Sequence, residues 1–345
     1  MPPPVSAMNK SNFLSLIQPQ MDQVEETISS ALYSNSRIVE QMLRHTLDGK
    51  GKRLRPALVL LSGKATGSLR EVHADVAAAI ELIHTATLVH DDIIDEATLR
   101  RQKTSLNAKY GNEMAVIFGD YVLAVAFGIL GKISDRGVLG EITRVTHTIC
   151  EGELFQTHRR FDFNLSRADY LRMIEQKTAS LFAVSCALGA MLAGGTVRQQ
   201  HALEKFGQEL GMAFQIVDDC LDILGDETRI GKSLGTDLKK GKWTLPLIRL
   251  REVMKESDWE EVRMLLFEDL EEVRMKRLVA YLTEFDAIKR AMEEARSHIA
   301  KARSYLDEIP SSEALEALHL LAEEVIERNE QLGRGTAQST LASTA

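Results

Sequence analysis

Cysteine is scarce. The 345-residue chain has three, Cys150, Cys186 and Cys220, widely spaced and without a CxxC pair. That excludes a disulfide scaffold, and a His/Cys zinc set is missing. Such isolated thiols are expected to be buried, in a reducing, cytoplasmic compartment. A basic excess is missing too. Forty-two Lys and Arg stand against 50 Asp and Glu, a net charge of −8, which argues against a nucleic-acid partner. Residues 1–10 hold three consecutive prolines and no basic-then-apolar leader. The most apolar stretch, Met114 to Leu130, is broken by Asp120 and is short for a bilayer span, so it reads as a core helix. No integral membrane segment is therefore expected, though peripheral membrane contact stays open. No 20–50-residue repeat is visible, which excludes a solenoid.

Proline is absent between Pro56 and Pro246. A long proline-free run rich in Ala, Leu, Ile, Glu, Lys and Met favours helices, and alternating β-branched strands with Asn-Gly turns are not found. The chain reads as all-α, with roughly ten helices of ordinary length. Ser68 to Glu71 forms a capping-box pattern and Ser166 to Asp169 precedes another apolar run. Gly111, Gly131 and Gly225 suit helix ends. No linker divides residues 20–328, which read as one domain after an N-terminal extension, 1–19. The composition of 329–345 suggests a disordered tail.

Two helices carry a polar stripe on an otherwise apolar surface. From Asp75 to Asp95, His84, Thr87, Asp91 and Asp95 share one face, with Asp92 at its edge. From Phe206 to Leu224, Gly211, Gln215, Asp218 or Asp219, and Asp222 do the same. Asp91-Asp92-Ile93-Ile94-Asp95 and Asp218-Asp219-Cys220-Leu221-Asp222 are thus two DDxxD copies. One copy alone reads as a solvated turn. Two, each on an apolar helix, need cations nearby, and oxygen-only donors suit Mg2+. Basic residues are available in Gly49 to Pro56, at Arg100-Arg101, at Lys177 and at Lys232, Lys239, Lys240 and Lys242. Arg offers phosphate a planar fork and Lys a point charge, so phosphorylated ligands are expected.

These residues resemble the trans (head-to-tail) polyprenyl diphosphate synthases. The likeness runs from about Gly51 to Pro246 through Gly51-Lys52-Arg53-Leu54-Arg55-Pro56, His84, both DDxxD motifs, Arg100-Arg101, Gly119-Asp120, Lys177-Thr178, Phe214-Gln215, Gly231-Lys232 and Gly241-Lys242. Lys50 and Gln102-Lys103-Thr104 depart from the usual pattern without removing a charged ligand. The resemblance implies a single-domain all-α isoprenoid synthase fold around a deep cavity, and elongation of an allylic diphosphate by isopentenyl diphosphate with release of diphosphate. Asp91, Asp95, Asp218, Asp219 and Asp222 would hold Mg2+, three ions once substrate is bound, with Asp92 in support. Arg100, Lys177, Lys232 and Lys242 would contact the allylic diphosphate, and Lys52, Arg55, His84 and Arg101 isopentenyl diphosphate. Thr178 and Gln215 would lie beside the reacting carbons.

By the same resemblance, small Ala86 and Thr87, about one helix turn before Asp91 where short-product members carry bulky aromatics, imply an open passage and a product of five or more isoprene units. The resemblance also implies a homodimer. The competing readings are a class I terpene cyclase and a non-catalytic subunit of a hetero-oligomeric synthase. Both fit two intact aspartate motifs and the basic turn less well.

Overall fold

In the computed structural model, which describes residues 13–47, 53–100, 103–224, 236–265 and 271–342, regular structure is almost entirely helical. The first ten α-helices are α1 (Gln18–Ala31), α2 (Arg37–Leu47), α3 (Leu54–Thr66), α4 (Glu71–Ile94), α5 (Leu106–Tyr110), α6 (Asn112–Leu130), α7 (Arg136–His158), α8 (Arg167–Ile174), α9 (Ser180–Leu192) and α10 (Val197–Leu224). Further helices span Thr236–Lys239, Leu245–Val253, Glu256–Leu265, Glu271–Glu284, Ala287–Tyr305 and Glu313–Ala342. Short pieces such as α5 raise the number above the ten expected. β1 (Leu99–Arg100) and β2 (Lys103–Thr104) form one antiparallel hairpin, with Arg100 opposite Lys103.

Pro19, Pro56 and Pro246 all fall in the first turn of a helix, where a missing N–H breaks no helical bond. Ser166 caps α8 as expected, its Oγ accepting the Asp169 N–H at 3.0 Å. The Ser68 box is not used. α4 begins at Glu71, and Nδ1 of buried His73 accepts the Arg70 N–H at 3.0 Å. The last helix continues to Ala342, through most of the segment whose composition suggests disorder. Extending an existing helix adds a bond per residue without a new nucleus. Between α8 and α9, residues Glu175–Ala179 form a π-helical turn.

The chain divides into two compact units, Met1–His147 with Ser180–Gln208 and Lys301–Glu323, and Thr148–Ala179 with Glu209–Ala300 and Glu324–Ala345. In the first, α3, α4 and α9 supply the core. Residues 57–61 of α3 and 76–80 of α4 are at most 1% exposed. α3 meets α9 so closely that a Cβ at Gly189 would lie 2.2 Å from the Val59 carbonyl oxygen. α6 packs on α4 and buries Ala115, Phe118, Val122 and Ala126, while Met114, Val116 and Ile117 are exposed. The core-helix expectation thus holds for one face of α6. By length and composition alone, α4 and α6 are both long and apolar enough to cross a membrane, and α4 is mostly buried.

In the second unit, Trp243 packs against Phe163 and Trp259 with ring centroids 5.0 and 5.6 Å apart. Buried Glu294 accepts from Arg249 Nη2 at 2.6 Å and Arg167 Nε at 3.1 Å, tying α8 to helices Leu245–Val253 and Ala287–Tyr305. All three cysteines are free thiols. Cys186 and Cys220 are buried, but Cys150 is exposed on α7, which corrects the expectation of three buried thiols.

Candidate active site

Asp91 lies in the last turn of α4, and Asp95 follows as its cap, the Asp95 N–H bonding the Asp91 carbonyl at 2.8 Å. Four residues apart, the two half-buried side chains share a face. Asp92 points inward and is only 5% exposed. Its Oδ2 accepts from Arg100 Nε at 2.6 Å. The hairpin brings Arg100 back to this carboxylate. Burial disfavours the Arg100 charge, but Asp92, Asp91 and Asp95 outweigh it and raise its pKa.

The basic turn is anchored just before α3. Arg53 adopts a left-handed φ of +47°. Its guanidinium donates to Glu25 at 2.7 and 3.2 Å and to buried Glu81 at 2.8 Å. Arg55 is buried, stacks 4.6 Å over the Phe182 ring, and has no partner at Nε. Burial lowers its pKa to about 10, against the opposing pull of Glu81. His84 is half-buried, Ala86 is buried, and the Thr87 hydroxyl donates to the His84 carbonyl at 2.8 Å. A cavity of about 80 Å³ is lined by His45, Arg53, Glu81, Asp92, Arg100 and Lys103 among others. Lys52 and Arg101 lie outside the described residues.

The second unit repeats the aspartate arrangement. Asp218 and Asp222 are half-buried, one turn apart on α10, and the middle residue, Asp219, is buried. Both of its oxygens are engaged: Tyr170 Oη donates to Oδ2 at 2.6 Å and Gln215 Nε2 to Oδ1 at 2.7 Å. Burial, then the charge of Asp237, push its carboxyl well above the usual range; the two donors pull the other way. The Thr178 hydroxyl, in the π turn, donates to Gln215 Oε1 at 2.8 Å. Lys177 Nζ donates to Gln156 at 2.9 Å and pairs with Glu153. The Asp237 N–H donates to Asp222 Oδ2 at 3.2 Å, and buried Lys242 Nζ lies 3.6 Å from Asp237 Oδ1. Gly241 precedes it at φ +71° against the Phe161 ring, where a Cβ would lie 2.6 Å from ring carbons. Lys232 lies outside the described residues.

Arg100 is thus grouped with the first aspartate set, and Thr178 and Gln215 with the second. Glu25, Glu81, Tyr170, Glu153 and Asp237 were not anticipated, because each acts across helices. Glu153 and Gln156, spaced i, i+3 on α7, offered the one local signal. Among the described residues no group of three or more His, Cys, Asp or Glu could hold a metal unaided. Pairs of carboxylates fit Mg2+, which keeps waters and phosphate oxygens as its other ligands. Asp92 is paired with Arg100, and the half-buried pairs Asp91 with Asp95 and Asp218 with Asp222, with Asp219 beside the second pair, present the carboxylate arrangement such an ion takes.

A sequence profile described as polyprenyl synthetase matches residues 36–282. The chain belongs to the polyprenyl synthetase family. It is 33% identical over 322 residues to the octaprenyl diphosphate synthase of Haemophilus influenzae, covering 93% of this chain and 98% of that one. It is 35% identical over 296 residues to a short chain isoprenyl diphosphate synthase of Methanothermobacter thermautotrophicus, covering 84% and 91%. A crystal structure of polyprenyl synthase from Caulobacter crescentus, complexed with calcium and isoprenyl diphosphate, superposes with a TM-score of 0.88 at 33% identity, covering 94% of this chain and all of that one. The fold of this polyprenyl synthetase family member is the all-α isoprenoid synthase fold, and the protein is a trans-prenyltransferase.

Proposed function

We propose that the enzyme elongates an allylic diphosphate with isopentenyl diphosphate and releases diphosphate, with residues 20–328 acting as a single synthase domain. The observation that carries this reading is the repeated arrangement of an outer carboxylate pair, one turn apart, beside a buried and hydrogen-bonded middle aspartate. Asp91, Asp95, Asp218 and Asp222 would hold Mg2+. Bound Mg2+ would neutralise diphosphate oxygens and make the allylic diphosphate a better leaving group.

Arg100, Lys177, Lys232 and Lys242 bind that diphosphate and stabilise the charge gathering on it. Lys52, Arg55, His84 and Arg101 hold isopentenyl diphosphate; the unpartnered Nε of buried Arg55 supports an anionic ligand there. Thr178 and Gln215 orient beside the reacting carbons, and an apolar lining keeps water from the allylic cation. The isopentenyl double bond attacks that cation, forming the new carbon–carbon bond. The proton then lost passes to the departed diphosphate, so no side chain is required as a base.

Ala86 and Thr87 leave room for a product of five or more isoprene units. The exposed apolar side chains of α6 support a homodimer, and the free thiols a cytoplasmic location. The decisive experiment uses the purified protein alone with labelled isopentenyl and farnesyl diphosphates and Mg2+. A ladder of labelled prenyl diphosphates is expected. Released hydrocarbon would identify a cyclase instead, and no turnover a non-catalytic subunit.

A further inference from the structure

Tyr170 has no part in the reaction as described, yet it is wholly buried and its hydroxyl meets Asp219 at 2.6 Å. The residue is rigidly placed. Ser166 caps the helix that carries it. Arg167, one turn before Tyr170, is held by buried Glu294, which Arg249 also grips. The Tyr170 phenol is the donor in this pair and Asp219 Oδ2 the acceptor. With Oδ2 taken by Tyr170, Oδ1 of Asp219 faces the Gln215 amide nitrogen at 2.7 Å. That fixes the direction of the amide. Its NH2 group points to Asp219 and its oxygen to Thr178, whose hydroxyl donates to it at 2.8 Å. The only proton on Thr178 Oγ1 is therefore committed, and what this oxygen can offer elsewhere is lone pairs.

We propose that Tyr170 is a positioning residue for elongation, fixing through Asp219 which polar atoms of Gln215 and Thr178 face the substrate. This rests on the elongation reading, in which those two side chains lie beside carbons that become cationic. Oxygen lone pairs stabilise such a centre, and a hydroxyl proton opposes it. Without the Tyr170 hydroxyl, the Asp219 carboxylate can rotate, the Gln215 amide can reverse, and Thr178 can turn its proton outward.

The test compares wild type with Tyr170→Phe, which keeps the ring, and with Asp219→Asn, each alone and combined with Gln215→Leu. Turnover by the wild type establishes the elongation reading; a wild type without turnover overturns that reading and this proposal with it. Tyr170→Phe is expected to lower kcat about tenfold, equivalent to one hydrogen bond, with the KM for isopentenyl diphosphate within about twofold of wild type. Asp219→Asn should lose at least as much. Calorimetric binding of Mg2+ with inorganic diphosphate should stay within about threefold for Tyr170→Phe. In the Gln215→Leu background Tyr170→Phe should add less than about a twofold loss, since the chain it acts through is already cut. An unchanged kcat overturns the proposal. So does a full tenfold loss in the Gln215→Leu background, or a loss matched by the fall in folded protein seen by circular dichroism.

Discussion

Removing the Arg53 side chain should unsettle the first unit far more than removing its exposed partner. Arg53 joins two carboxylates of unlike surroundings: the Glu25 side chain is 47% exposed, that of Glu81 only 7%. Water can replace Arg53 at Glu25, so Glu25→Gln is expected to cost about 0.5 kcal/mol. Glu81 has no such relief, and its second oxygen, Oε2, already lacks a partner. Arg53→Ala leaves a buried carboxylate without its ion pair, which typically costs about 3–5 kcal/mol. The charge of nearby Arg55, which Glu81 already influences, sets the expectation at the low end, about 3 kcal/mol. Backbone conformation supplies an internal control. At φ +47° a side chain adds roughly 1–2 kcal/mol of steric cost, so Arg53→Gly should be more stable than Arg53→Ala by about that amount. The predicted order is wild type, Glu25→Gln, Arg53→Gly, Arg53→Ala. Urea unfolding should be followed by helical circular dichroism, because both tryptophans, Trp243 and Trp259, belong to the other unit. An Arg53→Ala variant within about 1 kcal/mol of wild type, or less harmed than Glu25→Gln, would refute the reasoning.

Three further outcomes are expected. Ala86→Phe should shorten the product ladder seen by chromatography, and an unaltered ladder would remove Ala86 from the path of the growing chain. Gly189→Ala should lower the melting temperature by several degrees, about 2–4 kcal/mol by analogy with overpacking, since its methyl would meet the Val59 carbonyl; an unshifted melt would show that α3 and α9 can separate freely. His73 is buried, and burial above all holds its pKa below the ordinary value, against the Arg70 and Gly189 carbonyls. Because the folded state binds this proton less well, its stabilisation is present above about pH 6.5 and is lost as pH falls through the lowered folded value. Unfolding free energies measured from pH 7 to 5 should fall in wild type and fall less steeply in His73→Gln.

Local rules recovered the architecture where a single helix carries the signal. The apolar periodicity of α4 and α10, the spacing of their aspartates and the Ser166 cap all depend on neighbours within one or two turns. What stayed hidden depends on contacts between elements. His73 displaced Ser68 as the organiser of the α4 N-terminus because it is buried and takes the Arg70 N–H as well as the Gly189 carbonyl on α9. The π turn at Glu175–Ala179 is not encoded by any breaker residue. Tyr170 looks like core packing until Asp219 is found opposite its hydroxyl. Residue type alone predicts a buried Cys150, yet it is exposed on α7. Lys52, Arg101 and Lys232 rest on the resemblance alone.

The three letters of each acidic motif are not interchangeable. On the proposed reading the outer aspartates serve a bound ion, whereas the side chains of the middle ones are held by another side chain: Asp92 by Arg100, and Asp219 by Tyr170. Among distant relatives the outer pairs should therefore tolerate no loss, while a middle position can drift to a neutral residue when its partner changes in step. Paired substitution, rather than strict invariance, is the pattern that would mark those two sites.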